Sequence, residues 1–133
     1  MAKCTFCQIV NNKMDSFKIY EDKNTVCLLD RNPISKGHSL IIPKKHFRNI
    51  FDIDKEDLKQ TIIVVKKISN QLKEKLNAKG VNILHASGKV AQQSIFHFHI
   101  HLIPRYKNDK LDTWPKSCYK KSSLKEIYRK IKE

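Results

Sequence analysis

No apolar run in this chain approaches the ~20 residues that cross a bilayer. The opening stretch MAKCTFCQIV has neither a long apolar segment nor a small-residue cleavage site, so no secretory leader is expected. A cytoplasmic location follows by default, and there the four cysteines are not expected to pair as disulfides. Glycine is scarce, at three residues, and no Gly/Ser linker, internal repeat or low-complexity tract divides the sequence. With 133 residues, 40% of them apolar, one domain over 1–133 is the expectation. Acidic residues are few as well, 13 against 27 lysines and arginines, for a formal charge of +14. The lysines are spread along the whole chain and no DNA- or RNA-binding motif accompanies them, so no specific nucleic-acid partner is expected. A diffuse positive field does draw in small phosphorylated ligands.

What the chain does have is the stretch SIFHFHIHLIPR, Ser94 to Arg105. Its alternation has the period of a strand, over about residues 95–103. Phe96, Phe98, Ile100 and Leu102 then share a core face, and His97, His99 and His101 share the other. Pro104, which lacks an N–H, is expected to end the pairing. Three imidazoles on one face exceed what a solvated sheet surface needs. Two chemical readings remain open at this point. H-x-H on a strand can hold a catalytic zinc with an open position for water. Alternatively, one imidazole is a nucleophile or general base, and its neighbours orient it and bind an anion.

Around that row, FKIYED and TVCLLD read as strands joined at Asp22–Asn24, and HSLIIP as a third strand ended by Pro43. Asp54 is an N-cap for a long helix in which Leu58, Ile62, Val65, Ile68, Leu72 and Leu76 recur at helical spacing, with Gly80 as its stop. VNILHAS is a fourth strand. Ser123 and Glu126 form a capping box for a short terminal helix with Leu124, Ile127, Tyr128 and Ile131 on one face. Five strands and one long helix make an α+β fold.

Cys4 and Cys7 form C-x-x-C. Two thiolates and two imidazoles would close a tetrahedral structural zinc site, with His46 and one of the 97–101 histidines as candidates; a plain reduced C-x-x-C is the alternative. If zinc takes two histidines this way, its shell is full and the remaining triad histidines are left for metal-independent chemistry. Cys27 and Cys118 read as structural.

Taken together these residues resemble the histidine triad (HIT) family of nucleotide hydrolases and transferases. HFHIHLIPR matches its H-φ-H-φ-H-φ-φ motif, and FKIYEDKNTVCLLDRNPISKGHSLIIPKKHF follows its acidic turn, D-x-x-P loop, G-H-x-L-x-I-P strand and K-x-H element. The resemblance covers residues 4 to about 105 and weakens over 106–133, a C-terminal extension. It implies a five-stranded antiparallel sheet with one long and one short C-terminal helix, extended across a homodimer. It implies that His99 attacks the α-phosphorus of a purine nucleotide, that His101 bonds the reacting phosphate, that His38 lies beside the nucleophile, and that Ser94 donates to the leaving group or phosphate. Asp30 matches the acceptor of the ribose hydroxyls, Phe6, Ile9 and Leu28 the base pocket, and Gln93 part of the nucleotide-binding G-Q-S segment. Cys4, Cys7, His46 and His97 match the zinc ligands of bacterial-type members, and no organic cofactor is implied.

The sequence departs from the pattern in HASG, where Ala86 replaces an asparagine, and in Gln92, which replaces a glycine. His85 reads as a surface strand histidine. The resemblance thus implies a phosphoramidate hydrolase, with a dinucleoside polyphosphate hydrolase, a regulatory nucleotide-binding module of negligible turnover, and a triad-zinc hydrolase as rivals.

Overall fold

The computed structural model describes residues 3–119 and 123–133. Helix α1 (Thr5–Val10) leads into β1 (Lys18–Glu21), β2 (Thr25–Leu29) and β3 (Ser39–Pro43). Helix α2 (Lys55–Leu76) then crosses to β4 (Gly80–Leu84). A 3-10 turn (Lys89–Ala91), β5 (Ile100–Arg105) and α3 (Leu124–Lys132) complete the order. The sheet runs β1-β2-β3-β5-β4 with every neighbouring pair antiparallel.

Alternation along the strands sorts the core onto two faces. Cys27, Ile41, Phe98, Ile100 and Leu102 pack with Val64, Val65, Ile68 and Leu72 of α2. On the opposite face Val26, Leu28, Leu40 and Ile42 pack with Phe6 and Ile9 of α1. The histidine row belongs to this second side, where the one helix among the described residues is the six-residue α1. The wide cover on one face and the small cover on the other leave room for a site.

Several local expectations are corrected. The ladder of β5 begins at Ile100, not at residue 95. The segment before it is held by other means, with the Phe98 N–H on the Phe47 carbonyl at 2.7 Å. Phe96 therefore leaves the core face and is 37% exposed. Pro104 does not end the strand. It lies opposite Val81 of β4, and β3 has stopped pairing at Leu102, so a residue without an N–H has a strand on one side only. Helix α2 starts at its Asp54 cap as expected, but stops at Asn77, which takes the left-handed conformation at φ 59°; Gly80 opens β4 instead. Ile62 faces solvent, and Val64 and Thr61 take the buried stripe. Helix α3 forms on its Ser123 cap, yet none of its residues is buried. Cys27 is buried, whereas Cys118 is exposed and so has no packing role. No described helix is long and apolar enough to cross a membrane.

Gly37 shapes the approach to β3. Its φ is +90°, and a Cβ there would meet Leu76 Cδ1 at 2.6 Å. A side chain would both strain this turn and push on α2, and the turn is what delivers His38 to the sheet.

Candidate functional site

Four soft donors converge where α1 meets the end of β3. Cys4 is the N-cap of α1 and its sulfur accepts the Cys7 N–H at 3.4 Å, so both thiols lie in the first turn. His97 donates Nε2–H to the Pro43 carbonyl at 2.8 Å, because a carbonyl only accepts. This leaves Nδ1 as a lone pair, and it faces Cys4 Sγ (3.5 Å), Cys7 Sγ (3.5 Å) and His46 Nδ1 (3.1 Å). Cys7 Sγ is 3.3 Å from His46 Nδ1. A tetrahedral zinc with bonds of about 2.3 Å to sulfur and about 2.0–2.1 Å to nitrogen spaces its ligand atoms roughly 3.3–3.8 Å apart. The donor set and its spacing fit that ion. Burial and the neighbouring Cys4 thiol push the Cys7 thiol up to about 11, and burial pulls His97 down to about 4. A cation is what converts such thiols to thiolates near neutral pH.

Two residues on, His99 is buried, and its Nδ1–H donates to the carbonyl of His97 at 2.8 Å. Its Nε2 has no protein partner among the described residues. Burial keeps His99 below the ordinary imidazole range, so it is neutral at pH 7 and that nitrogen carries a lone pair. One tautomer is selected, and it is the one a nucleophile needs.

His101 is set by a relay from the backbone. The Ile34 N–H donates to Nδ1 of His38 at 3.2 Å, so His38 carries its proton on Nε2. That proton points to His101 Nδ1 at 2.9 Å, with Asp30 Oδ2 at 3.5 Å. His101 in turn keeps its proton on Nε2, as a donor. Burial lowers His38, against the pull of Asp30. Burial, then His99 and His38, bring His101 down to about 4. Asp30 is anchored by accepting the Asn32 N–H at 2.8 Å.

His99 and His101 line a cavity of about 1040 Å³ together with Phe6, Ile9, Leu28, Asp30 and Ser94. The lining joins apolar side chains to a carboxylate, a hydroxyl and two imidazoles. Phe6 meets the His99 ring edge-on with centroids 5.0 Å apart. Two expected members lie elsewhere. His38 sits behind His101, rings 5.2 Å apart, and does not line the cavity. Gln93 is buried and fully engaged: it accepts the Gly88 N–H at 2.8 Å and donates to the carbonyls of Arg48 (2.7 Å) and Ile95 (3.1 Å). It braces the loop instead of lining the cavity.

His85 is more than a surface histidine. Its Nδ1–H donates to the His99 carbonyl at 2.8 Å, and its Nε2 takes the Ser87 hydroxyl, whose oxygen accepts the Ile50 N–H at 2.9 Å. The ring lies over Phe98 at 4.4 Å. Because β4 ends at Leu84, this imidazole takes the place of the next ladder bond, a role no spacing pattern signals. Gln92, where the resemblance expected glycine, has φ 71°. The turn keeps the left-handed backbone, at a cost of about 1 kcal/mol.

A family model described as HIT domain matches residues 11–108. A HIT-like protein of Borreliella burgdorferi is 44% identical over 82% of this chain and 80% of its own. The adenosine 5'-monophosphoramidase of Candida albicans is 35% identical over 99% of this chain and 91% of its own. The adenylylsulfatase of Arabidopsis thaliana is 38% identical over 92% of this chain, which spans 61% of that protein. Among solved structures, a HIT family protein of Bacillus anthracis superposes with a TM-score of 0.87 at 37% identity, over 98% of this chain and 95% of that one. A zinc-bound histidine triad family protein of Mycobacterium smegmatis superposes at 0.81 and 38% identity, over 84% and 81%. With His99 and His101 of the alternating row lining one cavity and His97 turned to Cys4, Cys7 and His46, this chain belongs to the histidine triad (HIT) family.

Proposed function

We propose that the protein hydrolyses purine nucleoside phosphoramidates or related conjugates at the α-phosphate through a nucleotidyl-histidine intermediate. The observation that carries this reading is the His99 Nδ1–H bond to the His97 carbonyl, which leaves Nε2 as a lone pair on the wall of a nucleotide-sized cavity. The activities of the Candida and Arabidopsis relatives support the reaction class. In the first step His99 Nε2 bonds to phosphorus. The bond to the leaving atom breaks with its electron pair, and that atom takes a proton delivered through the Ser94 hydroxyl. Water then attacks phosphorus and the N–P pair returns to Nε2. One proton of that water replaces the one passed through Ser94 and the other stays with the new phosphate oxygen, so one water is consumed per bond cleaved. His101 donates Nε2–H to the phosphate, and its charge-directed bond strengthens as the phosphoryl oxygens reorganise. Asp30 accepts from the ribose, and Phe6, Ile9 and Leu28 hold the base.

Cys4, Cys7, His46 and His97 would hold zinc, which with four protein ligands supplies structure and leaves no position for water. The same reading includes a homodimer: β4 is a sheet edge on which Ile83 is 51% exposed, an edge that a second copy would cover. The test is His99→Ala with adenosine phosphoramidate. Turnover should vanish while AMP still binds, and acid quench of the unmodified protein should trap the nucleotide on His99. Turnover surviving in His99→Ala would refute the mechanism.

A further inference from the structure

Beyond Ser94 the nucleotide cavity continues into a second groove of about 800 Å³. The two share Thr5, Ser94 and Ile95, whereas His99 and His101 line only the first. In-line displacement sends the leaving group away from the nucleophile. With phosphorus between His99 and Ser94, that direction is the groove.

The groove has a definite electrostatic character. Lys3 and Arg48 line it, and Asp52 is its one acidic residue. Asp52 is turned onto the backbone: Oδ2 accepts the Arg48 N–H at 2.9 Å and Oδ1 the Asn49 N–H at 2.8 Å. Arg48 is placed differently. Its guanidinium lies 5.0 Å over the Phe96 ring, an arrangement that fixes the group without consuming its N–H donors. Among the described residues no carboxylate pairs with it. Its backbone carbonyl is held from below by buried Gln93 at 2.7 Å. A guanidinium stacked on Phe96 and unpaired among the described residues, at the exit from Ser94, is a receptor for an anion. Phe96, whose departure from the core face broke the strand alternation, is the platform that holds it.

We propose that this groove is a leaving-group subsite that selects leaving groups carrying negative charge, a carboxylate or an oxo-anion, through Arg48 with Lys3. The proposal rests on the hydrolase reading above for the direction of departure. Its test uses two adenosine 5'-phosphoramidates with the same P–N bond, one of glycine with a free carboxylate and one of glycinamide. Binding is measured by calorimetry on zinc-loaded His99→Ala protein, which needs no turnover, and kcat/KM on the unmodified protein. The glycine conjugate should bind about three- to tenfold tighter, as for a partly exposed charge-assisted pair. That ratio should fall toward one with Arg48→Gln, be partly kept with Arg48→Lys, and shrink with added salt. Equal binding of the two conjugates, or a preference that persists in Arg48→Gln, would overturn the subsite. Preferential binding with neither conjugate cleaved by the unmodified protein would support the subsite and sink the hydrolase reading. Cleavage of both without preference does the reverse. Binding of neither conjugate sinks both.

Discussion

Acid should unfold this protein partly through His101, and the size of that effect follows from where the ring sits. The imidazole has an ordinary value of 6.5 and is held at about 4 in the fold by burial, then by His99 and His38. The unfolded chain therefore takes up the proton first. The contribution to stability is complete above about pH 6.5 and is lost as pH falls through about 4. Taken in full, that interval corresponds to about 3.4 kcal/mol. His101 is only half-buried, and solvent screening reduces the figure to ~1.5–2 kcal/mol. The perturbation is His101→Asn, which removes the titrating ring and keeps a polar side chain. Urea unfolding of both proteins, followed by circular dichroism at one zinc concentration from pH 7.5 to 4, gives the difference in unfolding free energy. The response of the shared metal cluster cancels in that difference. The variant should close on the parent protein by ~1.5–2 kcal/mol as the pH falls. A difference that stays flat, or that widens toward acid, would refute the burial argument.

Elemental analysis of protein purified without chelator should give one zinc per chain; stripping it should lower the unfolding midpoint by about 15 °C, from roughly 4 kcal/mol of binding at thousandfold saturation. Chelation that stops turnover and leaves the midpoint in place would instead make the metal catalytic. His85→Ala removes the donor to the His99 carbonyl and should lower kcat/KM about fivefold, the worth of one net hydrogen bond, with partial recovery in His85→Asn. Unchanged kinetics in His85→Ala would return that residue to a surface role. Titrations with AMP and with a labelled oligonucleotide should show saturable mononucleotide binding that salt changes little, and oligonucleotide binding no tighter than about micromolar that falls steeply with salt. Sequence-selective oligonucleotide binding persisting near ~0.2 M salt would overturn the small-nucleotide reading.

The face of the sheet that carries the histidines was legible because period-two alternation depends only on which side each residue points. Where the ladder starts was not. His97 and His99 belong to the right face without belonging to the strand, since Phe47, Pro43 and His85 supply the bonds a neighbouring strand would have made. Pro104 misled because its rule depends on which side of the strand is occupied, a property of sheet order. Ile62 and Val64 could not be ranked by helical spacing alone, because the register of α2 on the sheet decides which stripe is covered. For the site, Cys4 and Cys7 pointed to a metal cluster, but its histidines come from 39 and 90 residues beyond Cys7. The proton relay into His101 begins at a main-chain N–H, that of Ile34, and no side-chain pattern could reveal it. Gln93 was recognised in its motif, but its bonds to the Gly88, Arg48 and Ile95 backbone could not be read from it.

Helix α1 is six residues long, too short to hold its shape unaided. It nevertheless supplies two thiols to the group of four side chains that could hold a metal and, in the same turns, Phe6 and Ile9 to the cavity lining. A cation clamped at Cys4 and Cys7 would therefore also fasten the wall against which a base would lie. The obligation is reciprocal: by whatever factor the metal tightens the nucleotide, the nucleotide must tighten the metal. If that factor exceeds one, a nucleotide-loaded chain would hold the cation more tightly than an empty one. Nucleotide supply and metal supply would then be read by one helix turn.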